Sequence, residues 1–203
     1  MPKYPHLETP RLILRIPKPS QAQYMLDFMT ANKEHFLPWD PPKAADFYSL
    51  RYWEQRIRLS RKEYREGKSL RMVFSLKGNK ERIIGDCNFS QIFRGPFNAC
   101  MLGYKIDKEF EGQGLMKEAL QFSTRYCFEI MKLHRIQANY IPANFCSGIL
   151  LEKLSFVKEG FAKNYLFING DWQDHVLTSL TNLDPCPPKT PYPTFSGALP
   201  KFG

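Results

Sequence analysis

Residues 99–120 read ACMLGYKIDKEFEGQGLMKEAL, and the order of elements in this stretch decides the fold. The run 99–107 is apolar, aromatic and glycine-punctuated, which predicts a strand, with Gly103 marking a bulge or a close backbone approach. From Gln113 to Met131 the pairs Leu115/Met116, Ala119/Leu120, Tyr126/Cys127 and Ile130/Met131 recur at helical spacing and predict a long helix with a buried face. Between the two lies a short loop carrying Gly112 and Gly114. A helix that begins directly after glycines leaves backbone N–H groups unpaired and aims the positive end of its dipole at one spot. That arrangement can grip a pyrophosphate: the glycines let the backbone come close, while Gln113, Leu115 and Met116 supply amides. GxG alone is equally compatible with an ordinary strand-to-helix loop. The stretch matches neither GxxxxGK[ST] nor the GxGxxG dinucleotide fingerprint.

Working outward, 11–16 (RLILRI) predicts a short strand ended by Pro17, and Ser20 can cap a helix running to about Lys33. The prolines of HFLPWDPP, 35–42, predict a loop that displays Trp39. A second helix is expected from about Ala44 to Glu66, and then a hairpin of LRMVFSLKG and ERIIGDCNFSQIF turning at Gly78-Asn79. Downstream, His134 to Tyr140 reads as a strand, Asn144 to Leu154 as a helix, and Phe156 to Gly160 as a turn into a strand. KNYLFI and DHVLTSL read as a hairpin around Asn169-Gly170. Strands on both sides of crossover helices predict a mixed α/β (α+β) sheet in one domain, 1–183. From Asp184 six of twenty residues are proline, so 184–203 is expected to be an extended tail.

The 203 residues carry 29 Lys+Arg against 20 Asp+Glu, a net +9 that favours an anionic partner. Eight of those basic residues fall in 51–71 against three Glu, either a solvated helix face or a surface for an anionic partner. No apolar run is long enough for a membrane helix, and the start MPKYPHLETPRL lacks a signal-peptide core, so a soluble, cytoplasmic protein is expected. The five cysteines are odd in number and contain no CxxC pair, which predicts reduced thiols and no metal site.

The glycine loop becomes specific through its company. The opening LETPRLILR, the PW loop, LGYKID…FEGQGLMKEAL, the HRI strand, N-x-x-S…LLEKLSF and the NG-W-x-DHVLTSL hairpin follow one another over about residues 7 to 183. In this order they resemble the GNAT superfamily of acetyl-CoA-dependent N-acetyltransferases, and within it the RimJ/RimL type that acetylates N-terminal residues of ribosomal proteins. The resemblance implies the GNAT fold, a splayed mixed sheet with acetyl-CoA between two diverging strands. It places the pantetheine along Met101, Leu102, Gly103, Tyr104 and Ile106, and the pyrophosphate on Gly112, Gln113, Gly114, Leu115 and Met116. Glu111 departs from the family pattern, which has Gln or Arg there, and sets a negative charge beside an anionic ligand.

Asn144 matches the asparagine that orients the pantetheine, and Ser147 the serine that protonates the departing thiolate; Cys146, between them, is expected to face elsewhere. The backbone N–H near Tyr104 would stabilise the developing oxyanion, so Ser147 and Tyr104 are the candidate catalytic residues. Trp39 and Tyr165 are candidates to line the acceptor channel. An acidic residue common in this group is replaced by Asn164, which leaves Asp174, Glu159 or solvent to take the proton, solvent being preferred, unless the amine deprotonates before binding. The implied activity is acetylation of the N-terminal α-amine, alanine first, of a small-subunit ribosomal protein. The alternatives are acetylation of a small amine or antibiotic, and a ribosome-associated binding protein that keeps the fold and uses 51–71 for nucleic-acid contact.

Overall fold

Branched and aromatic residues, in continuous buried runs along the central strands, build the sheet of the computed structural model, which describes residues 4–183. The strands are β1 His6–Glu8, β2 Leu12–Arg15, β3 Leu70–Leu76, β4 Gly85–Phe93, β5 Ala99–Ile106, β6 Arg135–Gln137, β7 Val157–Ile168 and β8 Asp171–Thr181. They form one sheet in the order β1-β2-β3-β4-β5-β6-β8-β7. The helices are α1 Ala22–Ala31, α2 Lys33–Phe36, α3 Leu50–Arg65, α4 Leu115–Glu129 and α5 Phe145–Lys153. The mixed α/β architecture read from the sequence is the one observed.

The sheet is covered on both faces. Leu70, Met72 and Phe74 of β3 point to one face, where Leu120 of α4 and Leu151 of α5 complete a core. Val73 points to the other face and packs with Met25 and Phe28 of α1 and Trp53 and Ile57 of α3. Each fully buried side chain of this size contributes roughly 1.5–3 kcal/mol.

The decisive feature lies between β5 and β6. Their pairing is parallel and the others in the sheet are antiparallel; a parallel neighbour needs a crossover, which α4 supplies. The pairing stops after Met101↔Gln137. Beyond it the chain leaves β5 and follows β8: Ala138 donates its N–H to Thr178 O, and Tyr140 bridges Val176. Leu102 to Ile106 is therefore a strand with one open edge.

Several boundaries differ from expectation for local reasons. The second helix starts at Leu50, not near Ala44, because Ser49 caps it by accepting from the N–H of Tyr52 at 3.1 Å. The proline stretch is partly helical, α2 being followed by a 3-10 turn over Leu37–Trp39. Residues 77–84 join β3 to β4, longer than a two-residue turn at Gly78-Asn79. The strand expected over 134–140 is shortened to Arg135–Gln137 because the chain changes partner there. Gly103 forms no bulge: the β4–β5 register is unbroken from Gly85↔Ile106 to Ser90↔Met101, and the irregularity falls between Ser90 and Phe93. The Pro-rich segment 184–203 and Cys186 lie outside the described residues. No helix among the described residues is long and apolar enough to cross a membrane.

Candidate active site

The open edge of β5 has a defined set of free backbone groups. Asp107 donates its N–H to Ile84 O on the β4 side, whereas the carbonyl of Asn98 accepts from His134 on the β6 side. Hydrogen-bonding direction alternates along a strand, so Met101, Gly103 and Lys105 bond toward β4. Leu102, Tyr104 and Ile106 then present N–H and C=O to the gap, ready to pair with an extended amide-bearing chain.

At the end of this gap stands the start of α4. Gly112 and Gly114 adopt the left-handed region, with φ of 70° and 73°, and Gly114 is the N-cap. Its carbonyl accepts from the N–H of Glu118 at 3.1 Å, while the N–H groups of Leu115, Met116 and Lys117 have no partner within the helix. Free N–H groups at a helix start, with the positive end of the dipole behind them, favour an anion. Gln113 does not line the cavity with its neighbours: its side chain donates to Glu109 O at 3.0 Å and its carbonyl accepts from Arg11 at 2.9 Å.

That second contact belongs to an anchor which sequence reasoning missed. Glu118 accepts from the Thr9 hydroxyl at 2.5 Å, the Arg11 N–H at 2.9 Å and the Arg11 guanidinium at 2.6 Å. Burial alone would raise the Glu118 carboxyl, but these donors hold it below the ordinary range. The anchor is therefore fully formed above the unfolded pKa and is released as pH falls through the lowered folded value. The only signal was the LETPRL stretch itself. Glu118→Ala should raise the KM for acetyl-CoA about tenfold by loosening the start of α4. Initial rates measured against acetyl-CoA concentration, with a fixed acceptor, test this; an unchanged KM would separate the anchor from the loop.

Across the gap lies α5. Asn144 caps it, its side-chain oxygen accepting from the Ser147 N–H at 3.1 Å, which leaves its amide nitrogen available. The Ser147 hydroxyl lies 2.5 Å from the Tyr104 hydroxyl. Burial, opposed by the Ser147 hydrogen bond, pushes the Tyr104 phenol up to about 12, so it stays protonated at neutral pH. Cys146 does not face elsewhere: it is exposed and lines the same cavity, because the first turn of α5 projects from the protein. The thiols of Cys87, Cys100 and Cys127 are free and buried.

The cavity measures about 780 Å³ and brings most of the predicted residues to one place. Met101, Leu102, Gly103, Tyr104 and Ile106 line it, as do Gly112, Gly114, Leu115 and Met116. Asn144, Ser147, Trp39 and Tyr165 complete the set. A Cβ at Gly103 would meet nothing within 4 Å, so the wall there is bare. Asp40, beside Trp39, is buried and ion-paired with Lys105 and, at 3.0 Å, with Lys43. Glu111 lies 3.0 Å from the His35 ring, a partner that offsets its charge when the imidazole is protonated.

A strand with one open edge thus leads to a helix start whose N–H groups are free. A family model described as Acetyltransferase (GNAT) domain matches residues 11–157. The chain belongs to the GNAT acetyltransferases. It is 40% identical over 178 residues, 88% of this chain and 91% of the relative, to the [ribosomal protein uS5]-alanine N-acetyltransferase of Escherichia coli K12. Among solved structures, the ribosomal-protein-S5-alanine acetyltransferase of Vibrio fischeri superposes with a TM-score of 0.86 at 37% identity, covering 90% of this chain and 100% of that one. RimJ of Mycobacterium smegmatis, in complex with CoA-disulfide, superposes with a TM-score of 0.80 at 28% identity, covering 88% and 86%.

The acetyltransferase is thus an acetyl-CoA-dependent N-acetyltransferase. Asp174, Glu159 and position 164 stand apart from it. Asp174 accepts from the Asn164 N–H at 2.9 Å, and Glu159 pairs with Arg135 and accepts from the Ser179 hydroxyl at 2.8 Å. Asn164 is exposed at a β7 bulge with φ of 49°, a left-handed conformation that asparagine tolerates well.

Proposed function

We propose that this acetyltransferase moves the acetyl group of acetyl-CoA onto the N-terminal α-amine, alanine first, of a small-subunit ribosomal protein. The observation that carries the substrate is the identity to the uS5-alanine acetyltransferase over nearly the whole chain. In this mechanism the free groups of Leu102, Tyr104 and Ile106 hold the pantetheine, Asn144 orients it, and the start of α4 takes the pyrophosphate. The Tyr104 N–H points at the thioester oxygen, where negative charge develops. Ser147, bonded to a phenol that keeps its proton, protonates the sulfur as it leaves.

An α-amine suits this site. Its pKa of about 7.7–8.0 against about 10.4 for lysine makes it cheaper to deprotonate by roughly 3 kcal/mol. A polyamine fits less well, because Asp40 and Glu111, the carboxylates on the cavity wall among the described residues, each already have a basic partner. Docking to ribosome or nucleic acid through 51–71 has less support. Arg71 is half-buried and paired with Asp86, Arg61 lies 3.7 Å over the Tyr4 ring, and Arg56, Arg58, Lys62 and Lys68 each reach a glutamate.

The test is incubation with acetyl-CoA and peptides that begin with Ala or Ser or carry only an internal Lys, with product located by mass spectrometry. Acetylation at the alanine α-amine is expected. Modification confined to lysine side chains or to free polyamines would sink the substrate assignment.

A further inference from the structure

The acids that sequence reasoning offered as proton acceptors are engaged away from the cavity, yet a titratable ring on the cavity wall has been given no task. His175 of β8 is 2% exposed and lines the cavity. Its Nδ1 lies 2.9 Å from the backbone carbonyl of Gln173. A carbonyl can only accept, so Nδ1 carries the hydrogen, and in the neutral imidazole Nε2 holds a lone pair. Nε2 has no hydrogen-bond partner among the described residues.

The sheet register sets which side of the gap the ring occupies. Met101 pairs with Gln137, and Gln137 with Ser179, so these three side chains share a face. Alternation by two carries that face along β5 to Gly103 and Lys105 and along β8 to Leu177 and His175. This is the face of Trp39 and Asp40, since Lys105 reaches Asp40 there. Ser147 and the Tyr104 hydroxyl lie on the opposite face, with the core that α4 and α5 cover. The gap between β5 and β8 thus has a proton acceptor on one side and a proton donor on the other.

The ring is also held in place. It packs against Tyr165, with ring centroids 5.3 Å apart and planes tilted by 54°; the Tyr165 hydroxyl accepts from the Asn139 side chain at 3.2 Å, and Asn139 in turn accepts from the Thr178 N–H at 3.2 Å. The β7 bulge between Ala162 and Leu166 lies directly opposite and brings Tyr165 over the ring.

We propose that His175 is the general base of the acetyl transfer, an inference that rests on the proposed function. The neutral amine enters from the Trp39 face, and its nitrogen lone pair forms the C–N bond at the thioester carbonyl. Nε2 of His175 takes the proton that nitrogen must lose. As the carbonyl re-forms, the C–S bond breaks and the sulfur takes a proton from Ser147. His175 then releases its proton to solvent, Ser147 regains one, and amine plus acetyl-CoA have become amide plus CoA thiol.

Two variants and one spectrum test this, with rates read on whichever amine the wild type acetylates. A wild type that ignores alanine peptides but uses another amine then overturns the substrate alone. His175→Ala and His175→Gln should each lower kcat about 10²-fold. Their acetyl-CoA Kd, measured by calorimetry, should stay within about threefold of wild type. Added imidazole should restore about tenfold of the lost rate in His175→Ala and none in Ser147→Ala. His175→Gln keeping kcat within about threefold of wild type would overturn the proposal, and so would a failure of imidazole to rescue a His175→Ala protein that binds acetyl-CoA normally. Should His175→Ala not fold, the Gln variant decides. Nitrogen-15 spectra of the wild-type ring need no turnover: hydrogen on Nδ1 is expected, and hydrogen on Nε2 instead would refute the assignment.

Discussion

Ser147→Ala should reduce kcat for acetyl transfer by about 10²-fold while acetyl-CoA affinity changes by no more than about threefold. The hydroxyl is the one polar side-chain group of α5 that meets Tyr104, and in the proposed mechanism removing it leaves the departing sulfur without its proton donor. The fold should tolerate the change. Ser147 contributes its N–H, not its side chain, to the Asn144 cap, and alanine keeps that N–H. Losing the Tyr104 partner should cost stability by about 1 kcal/mol, because the cavity admits water to the phenol. Steady-state kinetics together with thermal unfolding separate the two effects. A kcat close to wild type would mean that the thiolate leaves unprotonated or takes its proton from water.

Gly114→Val should raise the KM for acetyl-CoA by about 30-fold or more. Two costs combine. Valine is β-branched and opposes the φ of 73°, and its Cβ would stand 3.6 Å from the Arg11 guanidinium, with the branch crowding the anchor on Glu118. A side chain here also fills the space through which the backbone approaches the pyrophosphate. Gly114→Asn separates these effects, since asparagine accepts left-handed dihedrals. It should unfold within a few degrees of wild type and still raise KM about tenfold. If KM follows melting temperature across both variants, the loop is only a structural turn.

The elements whose causes are local were legible in the chain. Gly112 and Gly114 were assigned to a helix start because left-handed dihedrals and an uncapped N-terminus involve neighbouring residues only. Asn144 was legible as the start of a helix and, through the resemblance, as a site residue, and in the structure it caps α5 and lines the cavity. Gly103 left two readings open, a bulge or a close backbone approach, and only the structure removes the bulge: a glycine in a strand looks the same whether the backbone buckles or the wall is left bare. Cys146 was set aside because helical spacing turns it away from its neighbours, but in a first turn that projects from the protein that direction still reaches the cavity.

By itself, then, the sequence determined the mixed sheet, the glycine-preceded helix start and membership of an acetyl-CoA-using family, because periodicity, turn chemistry and ordered motifs survive without coordinates. Only the tertiary structure decided which proton donors and acceptors meet. Thr9 and Arg11 reach Glu118 across more than a hundred residues, and Tyr104 reaches Ser147 across 43. The face on which His175 sits depends on strand register, where a slip of one residue would turn the ring to the other side. Partner choice between distant segments is set by packing of the whole sheet, and no local pattern encodes it.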